Sequence, residues 1–218
     1  MTLNHHIEKE VSLLREGMHS YLERWSSMEN GLSMLLQQVL TFPSKYDHKP
    51  YGFAVYFAAT SAETRLAIID AVLEQFFRRD PNERIALDAW AIILKQVSLA
   101  RRFRNKIAHG TVHVTTIYDK QHARITGPLF DLKKHPPGRP IQAHGISLSE
   151  LNSQLSKIGA RSSHVGALSL LVSWRQLFDE ATLREKYLEL LTALKTAPDE
   201  SISLNYPEWF DPLQSSEA

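Results

Sequence analysis

The sequence predicts an all-α fold, four-helix-bundle-like, with a small β-hairpin inserted after the third helix. Apolar residues recur at three- and four-residue steps through most of the chain, as in helices with one buried face. The start signal Asp80-Pro81-Asn82-Glu83 follows the preceding helical pattern so closely that the helices on either side are antiparallel neighbours. Only around 111–131 does the pattern shift to short, β-branched runs.

The first helix runs from about Asn4 to Thr41, with Val11, Leu14, Met18, Tyr21, Leu22, Trp25, Met28, Leu32, Leu35, Leu36 and Val39 recurring at three- and four-residue steps. Glu29-Asn30-Gly31 marks a place for a kink, and Phe42-Pro43 ends the helix. A second helix spans about Tyr51 to Arg79, with Leu66, Ile69, Leu73 and Phe76 inward and Glu63 and Asp70 near the edge of that face. Asp80 as N-cap, Pro81 at the first position and Glu83 at the third open the next helix. It runs to His109, with Gly110 as the left-handed residue expected just past a helix end.

Val112 to Tyr118 and Ala123 to Phe130 then read as a hairpin around Asp119-Lys120-Gln121. Lys133 to Pro140 is an irregular basic loop, and Ser147-Leu148-Ser149-Glu150 is a capping box. The helical region it opens runs to about Thr196, with Gly159 and Gly166 as candidate breaks. One domain is therefore expected over 1–197, followed by a tail, 198–218. Tyr206, Trp209 and Phe210 make that tail too aromatic for pure solvation and predict that it docks on the body or on a partner chain.

Composition narrows the function. The net charge of +1 makes the whole molecule no attractor of nucleic acid, so any such binding belongs to a local patch. The absence of cysteine excludes disulfides, thiolate metal sites and a cysteine nucleophile. No signal peptide and no apolar run of about 20 residues is present, so a cytoplasmic protein without membrane partners is expected. The histidines form no metal-binding pair at helical spacing; His113 and His122 are placed to face each other across the hairpin, which alone makes a poor site. No metal and no cofactor are expected, and phosphate-loop, nucleophile-elbow and dinucleotide motifs are missing.

The chemistry concentrates in Arg101-Arg102-Phe103-Arg104-Asn105-Lys106-Ile107-Ala108-His109-Gly110. At about 100° per residue, Ala86, Trp90, Ile93, Val97, Ala100 and Ile107 share an apolar stripe, and Arg104 lies on it. A cation there needs a carboxylate, a bound anion or an opening to solvent. Glu29, Glu63 and Asp70 are the candidate counter-ions. Arg101, Arg102 and Lys106 either form a solvated basic helix end or track an RNA backbone together.

Arg104-Asn105-Lys106-Ile107-Ala108-His109 resembles the signature of the HEPN superfamily, an arginine, a polar residue and then a histidine at a helix end. The resemblance implies a helical bundle that usually dimerises, bringing two motifs together. It implies either a metal-independent endoribonuclease or a non-catalytic module that binds RNA or scaffolds a protein partner. In the first case Arg104 clamps the phosphate, His109 acts as general acid and base, and Asn105 orients His109 or binds the ribose. Arg104 and His109 are five residues apart, about 140° around a continuous helix. Either the helix loosens at His109 or the two act from different chains of a homodimer.

Overall fold

The computed structural model describes residues 5–41, 50–78, 80–117, 120–127, 145–175 and 177–204. These residues are mostly helical. The helices are α1 (His5–Thr41), α2 (Tyr51–Ala58), α3 (Ala62–Phe77), α4 (Glu83–Ala108), α5 (Leu148–Trp174) and α6 (Glu180–Thr196), and a two-stranded sheet, β1 (Thr111–Ile117) and β2 (Lys120–Thr126), follows α4.

α1 runs unbroken through Glu29-Asn30-Gly31, because Gly31 faces Val165 of α5 and packing holds the helix there. The two longest helices run side by side in the same direction. Gly17 meets Leu151, Arg24 Nη1 donates to the Leu155 carbonyl (2.8 Å), and Ser169 Oγ donates to Gln38 Oε1 (2.6 Å).

The single helix expected over 51–79 is two. Ala59 is extended, and Ser61 starts α3 by accepting the Thr64 N–H at 3.0 Å. Arg65 clasps the break, its Nε donating to the Ala59 carbonyl (3.0 Å) and its Nη1 to Glu29 Oε1 (2.9 Å). The apolar run through Tyr56-Phe57-Ala58-Ala59 hides this break from a periodicity argument.

α4 starts at Glu83, two residues later than the Asp80 cap would place it. Asp80 Oδ1 instead accepts the Asn82 N–H (2.7 Å) in a turn ahead of the helix, and its fully buried carboxylate pairs with Arg175 Nε at 3.4 Å. The antiparallel pairing of α3 and α4 holds: Trp90 Nε1 donates to Asp70 Oδ1 (2.8 Å), and Arg101 reaches Glu63 (3.0 Å).

In the hairpin Thr111 pairs with Thr126 and the ladder extends to Ile117 opposite Lys120, so Lys120 and Gln121 belong to the strand rather than the turn. Ala123 and Ile125 are buried on the inner face, the Ala123 N–H donates to Glu10 Oε2 of α1 (3.2 Å), and Ile125 exchanges two backbone hydrogen bonds with Ile146.

α5 passes straight through Gly159 and Gly166; Ser147 caps it, its Oγ accepting the Glu150 N–H at 3.2 Å. The helical region divides instead after Trp174, and Asp179 caps α6 by accepting the Thr182 N–H (2.8 Å). One hydrophobic cluster, including Tyr21, Trp90, Phe103, Ile125, Leu168 and Tyr187, joins α1, α4, β2, α5 and α6.

The segment after α6 docks on the body as far as Leu204. Gln96 Nε2 donates to the Pro198 carbonyl (3.3 Å), Lys157 pairs with Asp199 (3.0 Å), the Ile202 N–H donates to Ser163 Oγ (3.0 Å), and Leu204 is buried. Tyr206, Trp209 and Phe210, the basic loop Lys133 to Pro140, His135 and His144 lie outside the described residues.

His164 is wholly buried where this strap crosses α5, its ring nitrogens 2.8 Å from Gln96 Oε1 and 2.8 Å from the Glu200 carbonyl. Burial, foremost, holds its pKa below the ordinary 6.5; the Glu200 carbonyl and Asp199 oppose this and Arg161 adds to it. The unfolded chain therefore takes up this proton more readily than the folded one. His164 contributes its full stability above about 6.5 and loses it as the pH falls below that value. Urea unfolding between neutral and mildly acidic pH shows this loss in the wild type, and His164→Gln flattens that part of the profile.

Among the described residues, no helix is long and apolar enough to cross a membrane.

Candidate functional site

The site is the C-terminal end of α4, where the polar motif meets the hairpin. Ala100 and Ile107 are fully buried and Phe103 nearly so, which anchors this last stretch against the core. Tyr21 stacks obliquely on Phe103 (ring centroids 5.0 Å apart), and its hydroxyl donates to the Ala100 carbonyl at 3.2 Å. Burial, with some relief from the Arg161 charge, pushes the Tyr21 hydroxyl up to about 12, so it stays protonated and keeps this bond.

The helix ends at Ala108, and His109 is its C-cap, with its N–H still bonded to the Asn105 carbonyl at 3.3 Å. Gly110 serves a different purpose from the left-handed stop expected of it. Its φ lies outside the left-handed region; a β-carbon there would come within 2.4 Å of Ile125 Cγ2 and 2.8 Å of the Lys106 carbonyl. The glycine is needed because the hairpin folds back against the helix end.

Arg104 is half-buried beside the stripe formed by Ala100, Phe103 and Ile107. Its Nε is occluded with no hydrogen-bond partner, and its Nη1 donates to Asn105 Oδ1 at 3.2 Å. None of the three candidate counter-ions holds it. Glu29 is bound to Arg65, Glu63 to Arg101, and Asp70 to the Trp90 indole. Among the described residues no acid neutralises this guanidinium, which retains its affinity for an anion.

The other expected site residues divide. Asn105 sides with Arg104, and only its backbone meets His109. Arg102, Lys106 and His109 are exposed. Arg101 is occupied by Glu63 across α3 and α4, so it joins any basic patch only by giving up that partner. The structure brings the Arg104 and Asn105 side chains together, and it joins His109 to Asn105 through the backbone.

The facing histidines of the hairpin do not pair: His113 stands opposite Arg124 and His122 opposite Thr115. Among the described residues, no three histidine, aspartate or glutamate side chains gather closely enough to hold a metal ion.

Sequence reasoning missed Arg161, which is buried with Nε and Nη1 unpartnered among the described residues and whose charge acts on both Tyr21 and His164. Its place among Ile158, Val165 and Leu168 on the inward face of α5 was the available signal. No protein-family model matches the chain, and neither curated proteins nor solved structures give a significant match.

Proposed function

We propose that this chain is a HEPN-like, homodimeric protein of bundle type that binds RNA and cleaves it without a metal ion. The observation that carries this reading is Arg104: a half-buried arginine at a helix end, tied to Asn105 and held by no carboxylate among the described residues. An RNA phosphate is the anion its planar fork fits, and Arg102 and Lys106 beside it supply exposed positive charge for the backbone.

In this reading the Arg104 guanidinium stabilises the crowded phosphate while His109 takes the 2′-hydroxyl proton and returns one to the leaving 5′-oxygen. Because Arg104 and His109 are five residues apart, about 140° around a continuous helix, the arrangement that puts both at one phosphate takes Arg104 from one chain and His109 from the other. The reaction is transesterification, so neither metal nor cofactor enters the proton balance.

The test is cleavage of a mixed-sequence RNA in EDTA by the wild type and by His109→Ala at matched oligomeric state. Loss of the general acid and base lowers the rate by on the order of 10²–10⁴-fold. Equal cutting by both proteins removes His109 from the site. No cutting by either, with RNA still bound, leaves the non-catalytic binding module as the function.

A further inference from the structure

Beside the α1–α5 contact lies a groove that the described residues leave open. Gly159, Ser162 and Ser163 line it from α5, Arg24 and Ser27 line it from α1, and its volume is about 330 Å³. It is open because α5 presents no large side chain there. One turn past Ser162, a β-carbon added to Gly166 would meet nothing within 4 Å among the described residues. A space of roughly 150 Å³ already holds a benzene ring, so the groove has room for an aromatic side chain.

Arg24 gives this groove its charge. Its Nη1 donates to the Leu155 carbonyl (2.8 Å), the guanidinium is otherwise exposed, and no acid among the described residues pairs with it.

The chain itself arrives at the groove. In the strap after α6, Asp199 pairs with Lys157 (3.0 Å), the Glu200 carbonyl meets His164 (2.8 Å), and the Ile202 N–H donates to Ser163 Oγ (3.0 Å). His164 faces α4 through Gln96, whereas Ser163, about 100° round the helix from it, lines the groove. The strap thus carries the chain round α5 from the α4 side to the groove. The described residues end at Leu204, two residues past that contact.

Asn205-Tyr206-Pro207-Glu208-Trp209-Phe210 comes next, and residues 205–218 contain Glu208, Asp211 and Glu217 but no lysine or arginine. We propose that this segment occupies the groove of its own chain, with the Trp209 indole against Gly159 and Ser162 and Glu208 paired with Arg24. Reach permits it: five residues from Leu204 to Trp209 span up to about 17 Å, while Ser163 to Gly159 is about 6 Å along the helix. Charge favours it, since an acidic, aromatic segment meets an unpaired cation beside small side chains. Tethering favours it over any separate partner, because the segment loses only its own freedom on docking and not that of a second molecule.

Neither Arg104 nor His109 lines the groove, so its occupancy is read without the RNA assay. Trp25, Trp90 and Trp174 are 3, 2 and 5% exposed, which makes Trp209 the tryptophan that a quencher distinguishes. Acrylamide quenching of the full chain, with Trp209→Phe as the baseline, therefore reports on Trp209 alone. Its indole is expected to be shielded in the wild type at every protein concentration, exposed in Arg24→Glu, and shielded again when Arg24→Glu is combined with Glu208→Arg. Glu208→Gln removes only the ion pair and lowers the docked-to-free ratio by about two- to fivefold, the range for an exposed pair. Unchanged far-ultraviolet circular dichroism across the set holds the fold constant. The proposal is overturned by a wild-type Trp209 as accessible as free tryptophan, by shielding that survives Arg24→Glu, by a charge-swapped variant that stays exposed, or by shielding lost on dilution, which puts the segment on another copy.

Discussion

Arg175→Ala is expected to lower the unfolding free energy by about 3–5 kcal/mol, the range for breaking a buried ion pair from one side. Its partner Asp80 has a side chain wholly shielded from solvent, with Oδ1 already committed to the Asn82 N–H and Oδ2 facing Arg175. Removing the guanidinium leaves that carboxylate charged in the interior with no cation. The same change removes a cation from the Phe76 face, 5.1 Å away, a contact of about 0.5–2 kcal/mol. Lys186–Glu189 gives the contrast: Glu189 is 39% exposed, the pair lies within one helix, and Lys186→Ala is expected to cost no more than about 1 kcal/mol. Urea unfolding of the two variants at neutral pH measures both. Asp80→Asn combined with Arg175→Met recovers much of the loss, because no buried charge remains to be stranded. Equal, small effects from Arg175→Ala and Lys186→Ala contradict the assignment.

The same aspartate shows what a sequence can and cannot disclose. Asp80-Pro81 marked the right place on the chain, since a turn does separate two antiparallel helices there. Its role was misread because the competing partner, Arg175, lies far away in sequence, and no local rule weighs a cap against a distant cation. The helices with strict three- and four-residue periodicity, α1 and α4, were legible nearly to their ends, as was the Ser147 cap. Breaks were not. Ala59 turns extended inside an unbroken apolar run, whereas Gly159 and Gly166 sit in continuous helix, where neighbouring packing outweighs the modest cost of glycine.

At the candidate site, the helix and its end were legible and the pairings were not. The angular position of Arg104 marks it as the odd cation, and Glu29, Glu63 and Asp70 are the acids the sequence offers it. All three are engaged elsewhere, by Arg65, Arg101 and Trp90. Which side chain reaches which depends on how α3 lies along α4, and that is a tertiary property. Gly110 follows the same logic: its position was right, while its cause is the approach of Ile125 rather than the conformation of its own backbone.

Arg104→Ala is the substitution in which stability and function part most widely. Since no carboxylate among the described residues holds Arg104, its removal strands no charge there, and the unfolding free energy is expected to change by less than about 1 kcal/mol. If it clamps the reacting phosphate, the rate of RNA cleavage falls on the order of 10²–10³-fold, as for loss of a donor aimed at developing negative charge. Arg104→Lys restores little, because an ammonium lacks the two-pronged geometry. Mixing supplies the decisive comparison. Arg104→Ala and His109→Ala are each inactive alone; if the site takes one residue from each chain, exchanging them as dimers recovers about a quarter of wild-type activity, since half of the random dimers then carry one intact site. No recovery after verified exchange places both residues in the same chain. A loss of several kcal/mol in Arg104→Ala instead makes Arg104 a structural cation, and the phosphate clamp must then be sought among Arg102, Lys106 and the buried Arg161.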